Sequence, residues 1–381
     1  MKHLIGWLLI VLLFSGCAAP QAPESPLPAA AQPVPEAVVP PSIEPVTPPV
    51  AREAAPAVDA EDVAQLTAGN QAFAFDFYHA LDKGDENLVF SPYSITSAFS
   101  MVYAGARNRT ADQMATTLHY TLPITTHHAA FNALDQRLNA QTANDAFRLE
   151  TTNGMWLQRG FPFEPAYLET VAANYDLSLW LADFIDPEHR NEATRFINEW
   201  TAQQTSGRIR KILGPDTLHE LTRLVLINAI YFQADWLTPF DEALTEVLPF
   251  TRLDETTVDI PQMRQVLYLS NATGERYQAV ALPFGGESLR MIAVLPEPDH
   301  FSEIEAQLSP MFVRQIRDQL IVEDVWILLP RFQLKSKIEL VDYLAALGMS
   351  DLFDPLAADL SGTSGNGQRE SYMLTHPSIM P

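Results

Sequence analysis

Residues 87–120, NLVFSPYSITSAFSMVYAGARNRTADQMATTLHY, constrain the fold more than any other stretch of the chain. Residues 87–90 read as a short buried strand, and it runs straight into Ser91-Pro92. A serine there can accept the first orphan amides of a helix, and a proline with fixed φ suits the first helical position. The apolar helix that follows is expected to reach Ala104, where Gly105 ends it, and Thr110 is expected to cap the next helix, ADQMATTL.

The rest of the pattern alternates between helix and strand signals. Phe73, Phe77 and Leu81 recur at spacing four, which predicts a helix over 70–81, closed by Gly84. A helix over 129–138 and a strand FRLETTNGMWLQ follow, the latter rich in β-branched and aromatic residues. Asp186-Pro187 opens a helix with Ala193, Phe196, Ile197 and Trp200 on one face, and Gly207 stops it. The apolar run 224–232 inside TRLVLINAIYFQADW predicts a strand in mid-sheet, covered on both faces. TEVLPFTR, QVLYLS, YQAVALPF and LRMIAVLPE suggest antiparallel meanders, followed by one charged helix over 303–320. Ser336 and Glu339 form a capping-box pattern for a helix burying Leu340, Val341, Leu344 and Leu347, with Gly348 as its left-handed stop. The class is α+β, helix-rich at first and sheet-rich later.

The first 60 residues carry an address rather than a core. Lys2 and His3 precede an apolar stretch, residues 4–14, too short to span a bilayer, and then Ser15-Gly16-Cys17. This looks like a bacterial lipoprotein signal, with Phe14 where such signals usually carry Leu. Cys17 is the only cysteine of the chain and the expected lipidation site; an ordinary secretion signal is the alternative. Ala18 follows without the Asp that commonly retains lipoproteins at the inner membrane, which favours the outer membrane or cell surface. Residues 18–60 are Pro and Ala with occasional Glu, and read as a disordered linker. At ~3.1 Å per residue, about 40 such residues hold a domain up to about 100 Å from a membrane.

Other chemistries find little support. A formal charge of -23 with no basic run argues against nucleic acid as a partner. There is no G-x-S-x-G elbow, Ser-x-x-Lys pair or Walker loop, and His219-Glu220 lacks the second His of a zinc helix, so no catalytic residue, cofactor or metal is expected. His127-His128 reads as a solvated loop pair rather than a metal site. Sequons at Asn108 and Asn271 read as coincidence.

Taken in order from about Gln65 to Leu360, five blocks resemble the serpin family of protease inhibitors: the opening block, NEWTAQQTSGRIRKIL, LVLINAIYFQADWLTPFD, ALPFGGESLRMIAVLPE and LLPRFQLKSKIELVDYLAALGMSDLF. The resemblance implies a body of helices packed on a large central sheet with smaller sheets, residues 61–360. It places Ser91, Ser94 and Asn228 in the shutter, the polar cluster under that sheet, and Trp236 at the breach where strand insertion starts. Local readings stand beside these: Ser91 as a helix cap, Asn228 as a satisfied buried amide, Trp236 as a core aromatic. A serpin presents a loop as bait to a serine or cysteine protease, and the cleaved loop inserts into the main sheet as a new strand.

Residues 361–381, SGTSGNGQRESYMLTHPSIMP, depart from the family: they hold no Glu-x-Gly-Thr-x-Ala hinge, no bait loop and no closing strands, so no reactive bond is present in them. They read as a disordered tail. Either a frameshift near residues 365–369 replaced the family's ending, or this is a truncated, non-inhibitory relative. The expectation is a serine protease inhibitor body, monomeric and non-functional as written; the alternative is a lipid-anchored binding or scaffold protein.

Overall fold

The computed structural model describes residues 9–11, 37–81, 87–141, 147–286, 288–334, 336–365 and 378–379. They divide into two compact units: residues 24–139, 150–231 and 335–381 form one, and residues 1–23, 140–149 and 232–334 the other.

The first unit is built on α1 (Ala60–Ala80), α2 (Pro92–Tyr103), α3 (Asn108–Thr117), α4 (Ile124–Gln141), α5 (Pro165–Asn174), α6 (Pro187–Gln204) and α9 (Leu340–Ala346). Ser91 caps α2 as read, its Oγ accepting the Ser94 amide at 3.0 Å, and Asp186 does the same for α6. α1 starts ten residues earlier than its apolar period, because Asp59 and Asp62 close a reciprocal capping box. Phe73 and Phe77 stack at 5.5 Å inside it, both fully buried.

A four-stranded sheet belongs to these helices, in the order β2 (Glu44–Val46), β4 (Leu177–Ala182), β3 (Phe147–Gln158), β5 (Leu224–Ala234). β3 and β4 are parallel, and α5 is the crossover such a pair requires. The period of two gives β5 two apolar faces: Leu224, Leu226 and Ile230 pack on the large cluster around α2, and Val225 and Ile227 join Trp156, Phe196 and Trp200. Both faces are therefore covered, but β5 ends the sheet instead of lying in its middle; among the described residues no strand pairs with its other edge.

Four local readings are corrected here. Residues 87–90 are half-exposed chain rather than a buried strand, and the Val89 amide donates to Ser336 Oγ at 2.9 Å. Ser336 is thereby withdrawn from its expected capping box, and α9 begins at Leu340, its N-cap Glu339 making no side-chain cap. Thr110 lies inside α3 instead of capping it, because its hydroxyl accepts the Asp359 amide at 2.9 Å. The linker expected over 18–60 is shorter: residues 12–36 lie outside the described residues, but β2 pairs antiparallel with β4, and Ile43 is 4% exposed.

Packing also continues past Leu360. Residues 361–363 form a turn in which the Gly362 amide donates to Gly105 O (3.0 Å) and Glu164 N to Thr363 O (2.9 Å). Residues 366–377 of the expected disordered tail lie outside the described residues, and β12 (Ser378–Ile379) pairs with β11 (Ile338–Glu339).

The second unit is the expected meander. β6 (Glu246–Thr251), β7 (Thr257–Gly274), β8 (Tyr277–Pro283) and β9 (Arg290–Pro296) pair antiparallel in sequence order, β10 (Ile321–Pro330) pairs with β7, and β1 (Leu9–Val11) pairs with β9. β1 falls inside the expected export signal. The charged helix expected over 303–320 is two helices, α7 (Phe301–Ala306) and α8 (Pro310–Gln319), because Ser309-Pro310 makes a fresh helix start.

Candidate functional site

Ser91, Ser94 and Asn228, 137 residues apart in sequence at their extremes, come together in the first unit. Ser91 and Ser94 sit on the first turn of α2. Asn228 stands on the face of β5 that carries Leu224, Leu226 and Ile230, and its Oδ1 accepts a short hydrogen bond from Ser94 Oγ. Its amide group then donates to Asn153 Oδ1 at 2.8 Å, and the Asn153 amide group donates to Asp176 O at 3.1 Å.

Three of the bonds run in one direction, from Ser94 through Asn228 and Asn153 to Asp176 O, so each polarises its neighbour, while the Ser94 amide donates the other way, to Ser91. The local readings of Ser91 as a cap and Asn228 as a satisfied amide hold at the same time as the collective one. Asn153 was not singled out in the sequence. It is 4% exposed, on the face of β3 that also buries Met155 and Leu157. An amide on the inward face of an apolar strand was the available signal. The next residue, Gly154, admits no side chain: a Cβ there would meet the rings of Trp156 and Trp200 within 2.7 Å.

Beneath α2 lies a second polar group, and here the sequence reading fails. His127 and His128 are on α4 and buried, not in a solvated loop. His127 Nε2 meets Ser100 Oγ at 2.9 Å and its ring lies 4.1 Å from Tyr120; His128 Nδ1 meets Tyr175 OH at 2.8 Å. Burial, and then the neighbouring His128, holds His127 well below its ordinary pKa, and burial takes His128 down to about 4. Both rings are therefore neutral at pH 7, and aromatic neighbours replace solvent. Among the described residues no group of three or more His, Cys, Asp or Glu is placed to hold a metal ion.

Trp236 belongs to the second unit. It forms a β-bridge with Phe284 and stacks on it at 4.8 Å and 12°, while Phe284 also meets Phe232 at 5.4 Å. It is half-buried, closer to a lid on an aromatic stack than to a core residue. Cys17 lies outside the described residues. Among the described residues no helix is long and apolar enough to cross a membrane.

The profile of the family described as serpin (serine protease inhibitor) matches residues 68–377. A leukocyte elastase inhibitor of Xenopus laevis is 31% identical over 324 residues, spanning 83% of this chain and 85% of its own length. An uncharacterized serpin-like protein of Thermococcus kodakarensis is 35% identical over 309 residues, 81% of this chain and 71% of that protein. Among solved structures, ovalbumin from emu superposes with a TM-score of 0.74 at 27% identity, covering 80% of this chain and 82% of its own.

Proposed function

The chain belongs to the serpin family of serine protease inhibitors, and on that premise we propose that it carries the body of an inhibitor whose working event is entry of a strand at the outer edge of β5. The observation that carries this reading is the relay from Ser94 to Asn153: it passes through Asn228 on β5, the sheet strand whose far edge has no partner strand among the described residues. A strand entering there would be received beside Asn228, where a polar, hydrogen-bonded cluster is already organised. Serpins are inhibitors rather than catalysts, and the partner class is a serine or cysteine protease.

Residues 361–381 hold no hinge and no small-residue loop, so we assign the reactive bond to no residue of this sequence. The turn at 361–363 supports that assignment, because its bonds to Gly105 and Glu164 fix the chain leaving α9 at the start of α5. A hinge-type peptide, Glu-x-Gly-Thr-x-Ala, added to the protein is expected to raise its melting temperature by adding at β5. No shift at saturating peptide would sink the strand-entry reading. Incubation of this chain with a panel of serine and cysteine proteases should leave no SDS-resistant complex, and one such complex would overturn the assignment of no reactive bond.

The same turn favours a second reading, a lipid-anchored binding or scaffold protein that uses the body without loop chemistry. The two separate on whether a bound protease leaves the chain cut or intact. Export and a diacylglyceryl anchor on Cys17 belong to both, supported by Lys2, His3, the apolar residues 4–14 and a single cysteine in register. Cys17→Ser should then move the protein from the membrane fraction to the soluble one.

A further inference from the structure

The opposite edge of the same sheet is closed by the chain's own N-terminal strap. Three residues, Glu44, Pro45 and Val46, pair with Leu181, Trp180 and Leu179 of β4. Ahead of them Ile43 packs into the cluster of Trp156, Phe184, Phe196 and Trp200, and Ser42 Oγ donates to Glu192 Oε2 at 2.5 Å. Arg159 reaches back to Glu44 at 3.7 Å. Behind them Arg52 pairs with Asp135 at 2.7 Å, and Glu53 O accepts from Asn132 and Gln136, both at 2.8 Å. A segment whose composition argues for an unstructured spacer is thus fastened to β4, α4 and α6 along its length.

The position of the proline gives this strap a purpose. In an antiparallel pair, alternate residues aim their N–H and C=O groups at the partner. Proline has no N–H to give, so the ladder bonds of the three-residue strand fall to Glu44 and Val46, and Pro45 takes the outward position. Pro45 and Glu44 are both exposed. Among the described residues the sheet therefore ends on a strand that is very short, acidic and unable to donate outward at its centre, the features that stop strand addition at an edge. Pro40, Pro41, Pro48 and Pro49 bound it on both sides.

We propose that residues 42–46 are a cap that keeps the β4 edge from pairing with a second copy of this chain. Ile43 is the plug that seats the cap, and Pro45 is the stop that prevents the cap from becoming a template itself. The partner refused is a second copy because the β4 edge it would offer is the same apolar strand, Leu-Ser-Leu-Trp-Leu-Ala, on both molecules.

Two variants of the full chain test this from opposite sides. Pro45→Val leaves the buried contacts alone and restores an outward donor, and Ile43→Asp unseats the plug. Light scattering across a concentration series is expected to show both variants associating at about tenfold lower concentration than the unaltered chain, the equivalent of one or two recovered edge hydrogen bonds. Hydrogen exchange is the second readout. In dilute Ile43→Asp the β4 amides should exchange faster than in the unaltered chain, and they should become protected again in the associated form. The proposal is overturned if Pro45→Val associates no more readily than the unaltered chain, or if the β4 amides of Ile43→Asp stay protected when dilute. It is equally overturned if the associated form leaves those amides fast, since association would then come from damage to the Ile43 cluster.

Discussion

The two edges of one four-stranded sheet are finished in opposite ways. At β4 the chain spends its own residues 42–46 to seat a short strand with a proline facing out, and at β5 no described strand follows while a hydrogen-bonded relay stands ready on the adjoining face. Unpaired edges are a general hazard in sheets, so leaving one open while sealing its counterpart separates the edge that must refuse a strand from the edge that, in this family, admits one. The difference lies in the side chains that back each edge. The closed edge rests on an apolar plug, and the open edge rests on amides and hydroxyls that can re-pair.

The largest expected effect attacks the support behind the open edge. His127 and His128 lie under α2 with depressed pKa values, so the unfolded chain, with His near 6.5, binds protons that the folded chain refuses. Their stabilisation is complete above about pH 6.5 and declines as pH falls, that of His128 being lost toward about pH 4. His128 alone accounts for a loss of about 3 kcal/mol across that window. Urea midpoints at pH 7, 6 and 5 check it, with His128→Phe flattening the slope. Asp351, held below its ordinary range by Arg109, gives up its contribution only at lower pH.

Next in size, Asn153→Leu breaks the relay in its middle and leaves the half-buried Asn228 amide group without its acceptor. A loss of about 1–3 kcal/mol is expected in chemical denaturation, with β5 amides opening before those of β4. If both strands open together, the relay does not distinguish the edges. Ser91→Ala should cost about 1 kcal/mol as the loss of a helix cap, and Ser91→Asp should recover most of it. Full recovery by Asp would limit Ser91 to capping α2, and incomplete recovery would place it in the relay as well.

The smallest global effect is expected at the closed edge. Ile43→Ala removes a buried side chain, yet the strap can undock without unfolding anything else. Its cost is therefore capped at the strap's own docking energy, below the roughly 2–5 kcal/mol of an interior Ile→Ala such as Ile197→Ala. A loss as large as that of Ile197→Ala would mean that the strap is part of the cooperative core and not a detachable cap.

How much of this the sequence disclosed depended on whether a signal was local. Ser91-Pro92 and Asp186-Pro187 announced their helices because cap and helix are neighbours, and FRLETTNGMWLQ was read with its observed ends. Ser336 and Thr110 carried equally good local cap patterns and were misread, because distant amides, of Val89 and Asp359, claim their hydroxyls. Residues 37–58 are obscured by composition: proline density argues against order, and the side chains that dock, Ile43 and Arg52 among them, are scattered singly through a Pro- and Ala-rich run. His127-His128 failed for the reverse reason, two polar residues whose environment is supplied by Ser100, Tyr120 and Tyr175 from elsewhere in the chain. Ser91, Ser94 and Asn228 were placed by family resemblance, and Asn153, the member that joins β3 to them, carried no motif at all.

The strap also decides how the body would answer a mechanical load. Tension applied upstream of residue 37 meets the seat of Ile43 and the Ser42–Glu192 bond first, then the β2–β4 ladder, and then the Arg52–Asp135 ion pair. Only after these have yielded does it reach the capping box that starts α1. The fastening works as a series of sacrificial links, so a pull on the N-terminus would lengthen the leash by the 22 residues from 37 to 58 before it strained the helices that carry the relay.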